Sequence, residues 1–175
     1  MSSSGQDQWQ LRPGIRARRL LAWGIDWCCI LGWVAVVAAV GIPLYRAGVV
    51  SLAGLLAQNL VGLVVIIPVV AAAAWRESSP GSATPGKRAL GLSVRYRSAG
   101  RRLPRALLRN VLKIGLPWAI GHLAVFAIVD AGDQLPGWVG WLTAAAYLLP
   151  VLWVVSLALP GARTIYDRLS GTDVR

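Results

Sequence analysis

Asp26 is the residue with the sharpest chemical consequences in this chain, because it lies inside an apolar run extending from about Leu20 to Ile42. About six residues into a helix is roughly 9 Å along its axis. An ionised carboxylate that far into hydrocarbon costs several kcal/mol unless it is paired, hydrated or protonated, so its side chain must face protein or water. Two chemistries are open to it: an ion or proton site, or a structural ion pair between helices. Arg16, Arg19, Trp23 and Asp26 recur at spacings of three and four and therefore share one helix face. Arg19 is two turns from Asp26 and reaches it only by a snorkelling side chain or a bridging water. Arg109 and Lys113, at the start of a later apolar run, are the better partners.

Other side chains invite weaker readings. His122 falls near the middle of the third apolar run, where an imidazole can relay protons, although a lone histidine there more often makes one hydrogen bond between helices. Gln58 and Asn59 in the second run read the same way. Cys28 and Cys29 are adjacent and apolar in context, with neither metal-ligand nor disulfide spacing, and are expected as small buried hydrophobes. Gly81-Ser-Ala-Thr-Pro-Gly86-Lys87-Arg88 has the G-x-x-x-x-G-K spacing of a phosphate loop, but Arg88 stands where a magnesium-binding hydroxyl belongs and no strand precedes it. With no nucleophile beside a base, no paired catalytic carboxylates and no metal-ligand cluster, neither enzymatic activity nor a metal or cofactor is expected.

The elements that must position these residues are spans. The chain has 175 residues, 56% hydrophobic and 14% charged, far from the balance of a soluble domain. Four apolar stretches approach the length of about 20 residues that crosses a bilayer, at about 20–42, 52–75, 111–129 and 137–159. Pro43 is expected to close the first, and a short polar loop from Asp130 to Pro136 separates the last two. The first run is too long for a signal peptide and is expected to remain as a helix. Of the 18 Lys and Arg residues, all but Arg46 fall in the N-terminal tail, the connector 76–110, the start of the third run or the C-terminal tail 160–175. Retention of basic residues on the inner side then places both termini in the cytoplasm and makes this a multi-pass plasma-membrane protein. Trp23, Trp75, Trp138 and Trp141 sit near the expected interfaces. The net charge of +11 is accounted for by anionic lipid headgroups, with no need of nucleic acid.

The connector is the one segment with soluble character. Leu90, Leu92, Val94 and Tyr96 alternate with polar residues as in a short strand, with Ser98-Ala-Gly100 as a turn that would make a hairpin. Pro104 can open a basic amphipathic helix, with Leu107, Leu108, Val111 and Leu112 on one face and Arg105 and Arg109 on another, lying along the inner leaflet before dipping into it. The expected fold is thus all-α, a four-helix transmembrane bundle comprising residues 16–175 behind a polar tail of residues 1–15.

Three stretches resemble the RDD family, named for one arginine and two aspartates. Arg19 through Asp26 is similar to the arginine and aspartate of the family's first helix. Thr84, Gly86, Lys87, Gly91 and Val94, followed by Arg109-Asn110, resemble its central T-x-G-K-x-x-x-G-x-x-V block and R-N pair. Asp167-Arg168-Leu-Ser-Gly-Thr172 resembles its H-D-R-x-x-G-T ending, with Tyr166 where histidine is common. The resemblance implies Arg19, Asp26 and Asp167 as signature positions in a bacterial membrane protein, with transport, including sodium/proton antiport, as the function proposed for such proteins. Two functions therefore stand side by side. One is an ion or solute transporter using Asp26, which with four helices needs a homo-oligomer. The other is a non-catalytic scaffold or lipid-interacting protein, with a membrane-protein partner, whose signature residues pin connector and tail to the helix ends.

Overall fold

In a backbone surrounded by hydrocarbon every N–H and C=O must find an internal partner, so long apolar runs become uninterrupted helices. The computed structural model describes residues 14–97, 100–132, 134–158 and 163–175. Its elements are α1 (Ile15–Arg46), α2 (Gly54–Ser78), α3 (Pro85–Ala89), β1 (Val94–Tyr96), α4 (Arg102–Asn110), a π-helical turn (Val111–Gly115), α5 (Leu116–Ala131), α6 (Gly137–Ser156), α7 (Ile165–Leu169) and β2 (Thr172–Val174). Helices α1, α2, the continuous α4–α5 and α6 are each long and apolar enough to cross a membrane. They run alternately up and down, so the start of α1, the end of α2, α4 and the end of α6 gather at one end. Connector and tail fold over that basic end as a cap. Trp23, Trp75, Trp138 and Trp141 all lie exposed near helix ends.

Several expectations are corrected. Pro43 does not close the first helix, which continues to Arg46. A proline near a helix end forfeits one hydrogen bond, which costs less in an apolar surrounding than releasing the whole last turn. Cys28 and Cys29 are exposed on the outer surface of α1 rather than buried. The strand β1 has no hairpin partner: it pairs antiparallel with the C-terminal β2, with Val94 opposite Val174 and Tyr96 opposite Thr172. Ser98 and Ala99 of the expected turn, and Asp133 of the expected polar loop, lie outside the described residues.

The largest correction concerns α4. It does not lie alone along a leaflet but packs against α2 and continues into α5. Leu103, Leu107, Leu108 and Val111 are exposed, as a lipid-facing side is, but Arg109, expected at the headgroups, is buried together with Ala106, Asn110 and Lys113. Leucine is at no disadvantage facing lipid, whereas charged and amide groups must be satisfied within the bundle, so polarity runs inside out relative to a soluble helix. The π turn between α4 and α5 has a cause in sequence. Pro117 has no N–H to donate to the carbonyl of Lys113, and the helix widens ahead of it, the Leu116 N–H bonding to the Val111 carbonyl.

Candidate functional site

The helix ends at the basic end converge on three buried carboxylates from distant parts of the chain: Asp26 of α1, Glu77 of α2 and Asp167 of α7. Each sits where local structure aims it inward. The buried stripe of α1 is Arg19, Ala22, Asp26 and Ile30; Arg16 is exposed and Trp23 partly so at its edge.

Asp26 is capped by the connector. Its Oδ2 accepts from the Thr84 hydroxyl at 2.7 Å and its Oδ1 from the Gly86 N–H at 2.9 Å. The Lys113 ammonium is 3.8 Å from Oδ2. Gly86 permits this approach because a Cβ there would lie 2.1 Å from the Ala22 carbonyl oxygen. Thr84 and Gly86 open the short helix α3, with Pro85 in its first turn, so the first free N–H of that helix meets a carboxylate. The phosphate-loop spacing is thus spent on the protein's own acids: Gly86 on Asp26, and Lys87 on Glu77 at 2.6 Å and on the Thr84 hydroxyl at 3.2 Å.

Glu77 is the hub, fully buried. Its Oε1 accepts from Lys87 and from Arg109 Nη1, each at 2.6 Å, and its Oε2 from Asn110 Nδ2 at 2.8 Å. The Tyr96 hydroxyl donates to its backbone carbonyl at 3.0 Å, tying β1 to the same point. Burial pushes the Lys87 ammonium down to about 8, with Glu77 opposing that shift.

Asp167 completes the chain of charges. Its Oδ1 accepts from Arg109 Nε at 2.8 Å, and its Oδ2 from the Arg19 guanidinium. Its own helix holds it in a capping box, since Thr164 N–H donates to Oδ2 at 3.2 Å and Asp167 N–H donates to the Thr164 hydroxyl at 3.3 Å. Burial alone would raise the Asp167 carboxyl, but Arg109 and Arg19 outweigh it and hold the group well below the usual carboxylate range. Arg109 therefore bridges two acids, Glu77 and Asp167, and its guanidinium also stands 5.3 Å from the centre of the Tyr166 ring. At the position where the family ending commonly has histidine, this tyrosine supplies an aromatic wall.

The structure joins Arg19, Asp26, Thr84, Gly86, Lys87, Arg109, Asn110 and Asp167 in this network. The remaining sequence candidates lie outside it. Gly91 adopts a left-handed φ of 62° in the turn after α3. Arg168 is exposed on α7, and Thr172 is buried in β2, its hydroxyl 2.8 Å from that of Ser170. His122 is farther along α5, stacked 5.8 Å from Trp118 and edge-on to Phe126, with its ring against Gly62 of α2 and its Nε2 without a hydrogen bond among the described residues. Glu77, two residues beyond the expected end of the second apolar run at Trp75, is not among the sequence candidates. A carboxylate directly after an apolar run, ahead of a basic connector, carries the same signal as Asp26 and marks it in retrospect. Among the described residues no group of three or more His, Cys, Asp and Glu side chains could hold a metal.

The fold and this network define a multi-pass membrane protein whose basic end is closed by buried ion pairs. The RDD family model matches residues 13–171, nearly the whole chain, and the protein belongs to that family. Neither the curated proteins nor the solved structures compared with it gave a match.

Proposed function

We propose that this RDD family protein is a non-catalytic scaffold of the plasma membrane that interacts with lipid and holds a folded basic cap on the cytoplasmic face of its four helices. The observation that carries this reading is the occupancy of Asp26. Both its oxygens are taken by Thr84 and Gly86, so the carboxylate that a transporter would offer to an ion instead fastens the connector to α1. The other two acids are equally spent, on Lys87, Arg109, Asn110, Arg19 and Thr164. The charges left on the surface, among them Arg88, Arg95, Arg97, Arg101 and Arg168, then face anionic headgroups, where each gains on the order of 1 kcal/mol.

Ion transport by a homo-oligomer is the second reading, favoured by one observation: a cavity of about 50 Å³ borders Asp26 and Lys113. Proteoliposome flux under a sodium or pH gradient separates the two. The scaffold reading expects parent protein and Asp26→Asn to be equally ion-tight, with the variant melting lower. A parent that carries flux, lost in a folded Asp26→Asn, overturns it. Crosslinking in native membranes should also capture a partner other than a second copy of the chain.

A further inference from the structure

Four cations and three carboxylates make up the network, all less than a tenth exposed: Arg19, Lys87, Arg109 and Lys113 against Asp26, Glu77 and Asp167. Among the described residues the other buried acid, Asp173, is spent on Arg175 at 2.9 Å. One positive charge is therefore in excess, and hydrogen bonding locates it. Arg19, Lys87 and Arg109 each donate directly to a carboxylate. Lys113 makes no hydrogen bond among the described residues, its closest acid oxygen being 3.8 Å away. An ammonium has three donors, and a buried one without an anion in hydrogen-bond range is poorly compensated.

A second, independent group lines the same cavity. The indole N–H of Trp153 on α6 is buried without an acceptor among the described residues, and Trp153 and Lys113 are both at this cavity. That cavity, about 50 Å³, has room for roughly four waters or one phosphate-sized group. Arg19, Lys87, Arg109 and the hydrogen-bonded Asp26 also line it, and the rest of its wall is apolar, including Leu20 and Trp23 of α1 and Pro150 and Val154 of α6. Leu20, Trp23 and Val154 are also exposed on the outer surface, so the mouth opens sideways into the region of acyl chains. Helix α1 packs most closely against α3 and α2.

The geometry points to a seat for one phosphate-class anion, supplied by an acidic phospholipid that enters between α1 and α6 and is held by the Lys113 ammonium and the Trp153 indole N–H. The site rests on the lipid-interacting reading above and makes it specific: the bilayer contributes the missing counter-charge of the network. The apolar part of the wall, Leu20, Trp23, Pro150 and Val154, favours a phosphate that carries tails over a free one.

The test is native mass spectrometry of the delipidated full chain in detergent, titrated separately with phosphatidylglycerol, phosphatidylcholine and inorganic phosphate. One phosphatidylglycerol should bind per chain in preference to phosphatidylcholine. Lys113→Met should weaken that binding by about tenfold or more and Lys113→Arg should retain it, as the loss of a charged hydrogen bond implies. Trp153→Phe keeps the ring, leaves every ion pair intact and should weaken binding several-fold, so the site stays testable if Lys113→Met fails to fold. Equal binding of the two lipids, or unchanged preference in Trp153→Phe and Lys113→Met, overturns the site. Saturation by inorganic phosphate in place of the lipid overturns the lipid source. Any of these failures would leave ion-tight proteoliposomes unchanged, so loss of this site and loss of the scaffold reading register in different experiments.

Discussion

At the basic end of the bundle, α1, α2, α4 and α7 meet through charged and amide groups, and nearly every hydrogen-bonding atom of Asp26, Glu77 and Asp167 has a named partner. Toward the far end the same helices meet differently. No residue of α1 after Ile30 is buried, and α2 and α5 approach where Gly62 receives the His122 ring. Between the two lies a small apolar core of Ile30, Ile66, Val70 and Ile114. Lipid tails are as apolar as leucine, so hydrophobic contacts confer little preference for one helix arrangement over another. Charges that cannot face the tails do confer it. The basic end accordingly specifies which segments come together, and the far end asks only that the surfaces fit.

That contrast can be broken most severely at Glu77. Replacing it with alanine leaves Lys87 buried without its acid and Arg109 with Asp167 alone, and breaking a buried pair in this way costs about 3–5 kcal/mol. Glu77→Ala should therefore abolish monodisperse protein in detergent, as read by fluorescence-detected size exclusion; a variant that elutes and melts like the parent would show that the network does not organise the fold. Gly86→Ala should follow, since its new methyl meets backbone rather than a mobile side chain. A loss of about 1–3 kcal/mol or more is expected, with the connector undocked from α1 and cleaved sooner by added protease.

Smaller effects belong to the far end. Gly62→Ala drives a methyl onto His122, a side chain that can move, and should lower stability by about 1–2 kcal/mol, with recovery in the double variant Gly62→Ala/His122→Ala. If Gly62→Ala proved as damaging as Glu77→Ala, the two ends would not differ as described. The finest test is alkaline. Lys87 titrates at about 8 when folded and at 10.5 when free, so between those values the unfolded chain binds a proton that the folded one has released. Stability should rise with pH through that window and level off above it, and Lys87→Met should remove the rise. Melting temperatures of parent and variant at several pH values check the sign. Asp167 behaves oppositely: its stabilising contribution is complete above 3.8 and declines only as pH falls below that toward its lowered folded value.

Much of this molecule could be read along the chain because its solvent imposes the pattern locally. A run of apolar residues becomes a spanning helix whatever its neighbours do, so four spans, the polar connector and the need to shelter Asp26 were all visible in residue order. The strand at Val94–Tyr96 was visible too, by its alternation, but its partner 78 residues away was not. The burial of Arg109 was not visible, because a basic residue ahead of a span fits the headgroup region as well as it fits a buried pair. Glu77 went unnoticed, and Lys113 and Arg109 stood as equal partners for Asp26 until the helices were assembled.

Those choices belong to the tertiary structure. Composition determines that buried charges must be matched, and hydrophobic length determines where each helix runs, since both depend on transfer between water and lipid residue by residue. Which acid takes which base depends on distances of 2.6 to 3.8 Å between segments far apart in sequence. Only the packed helices, with Gly86 letting the connector onto α1 and the π turn ahead of Pro117 between α4 and α5, decide that Arg109 serves Glu77 and Asp167 while Lys113 is left beside an open cavity.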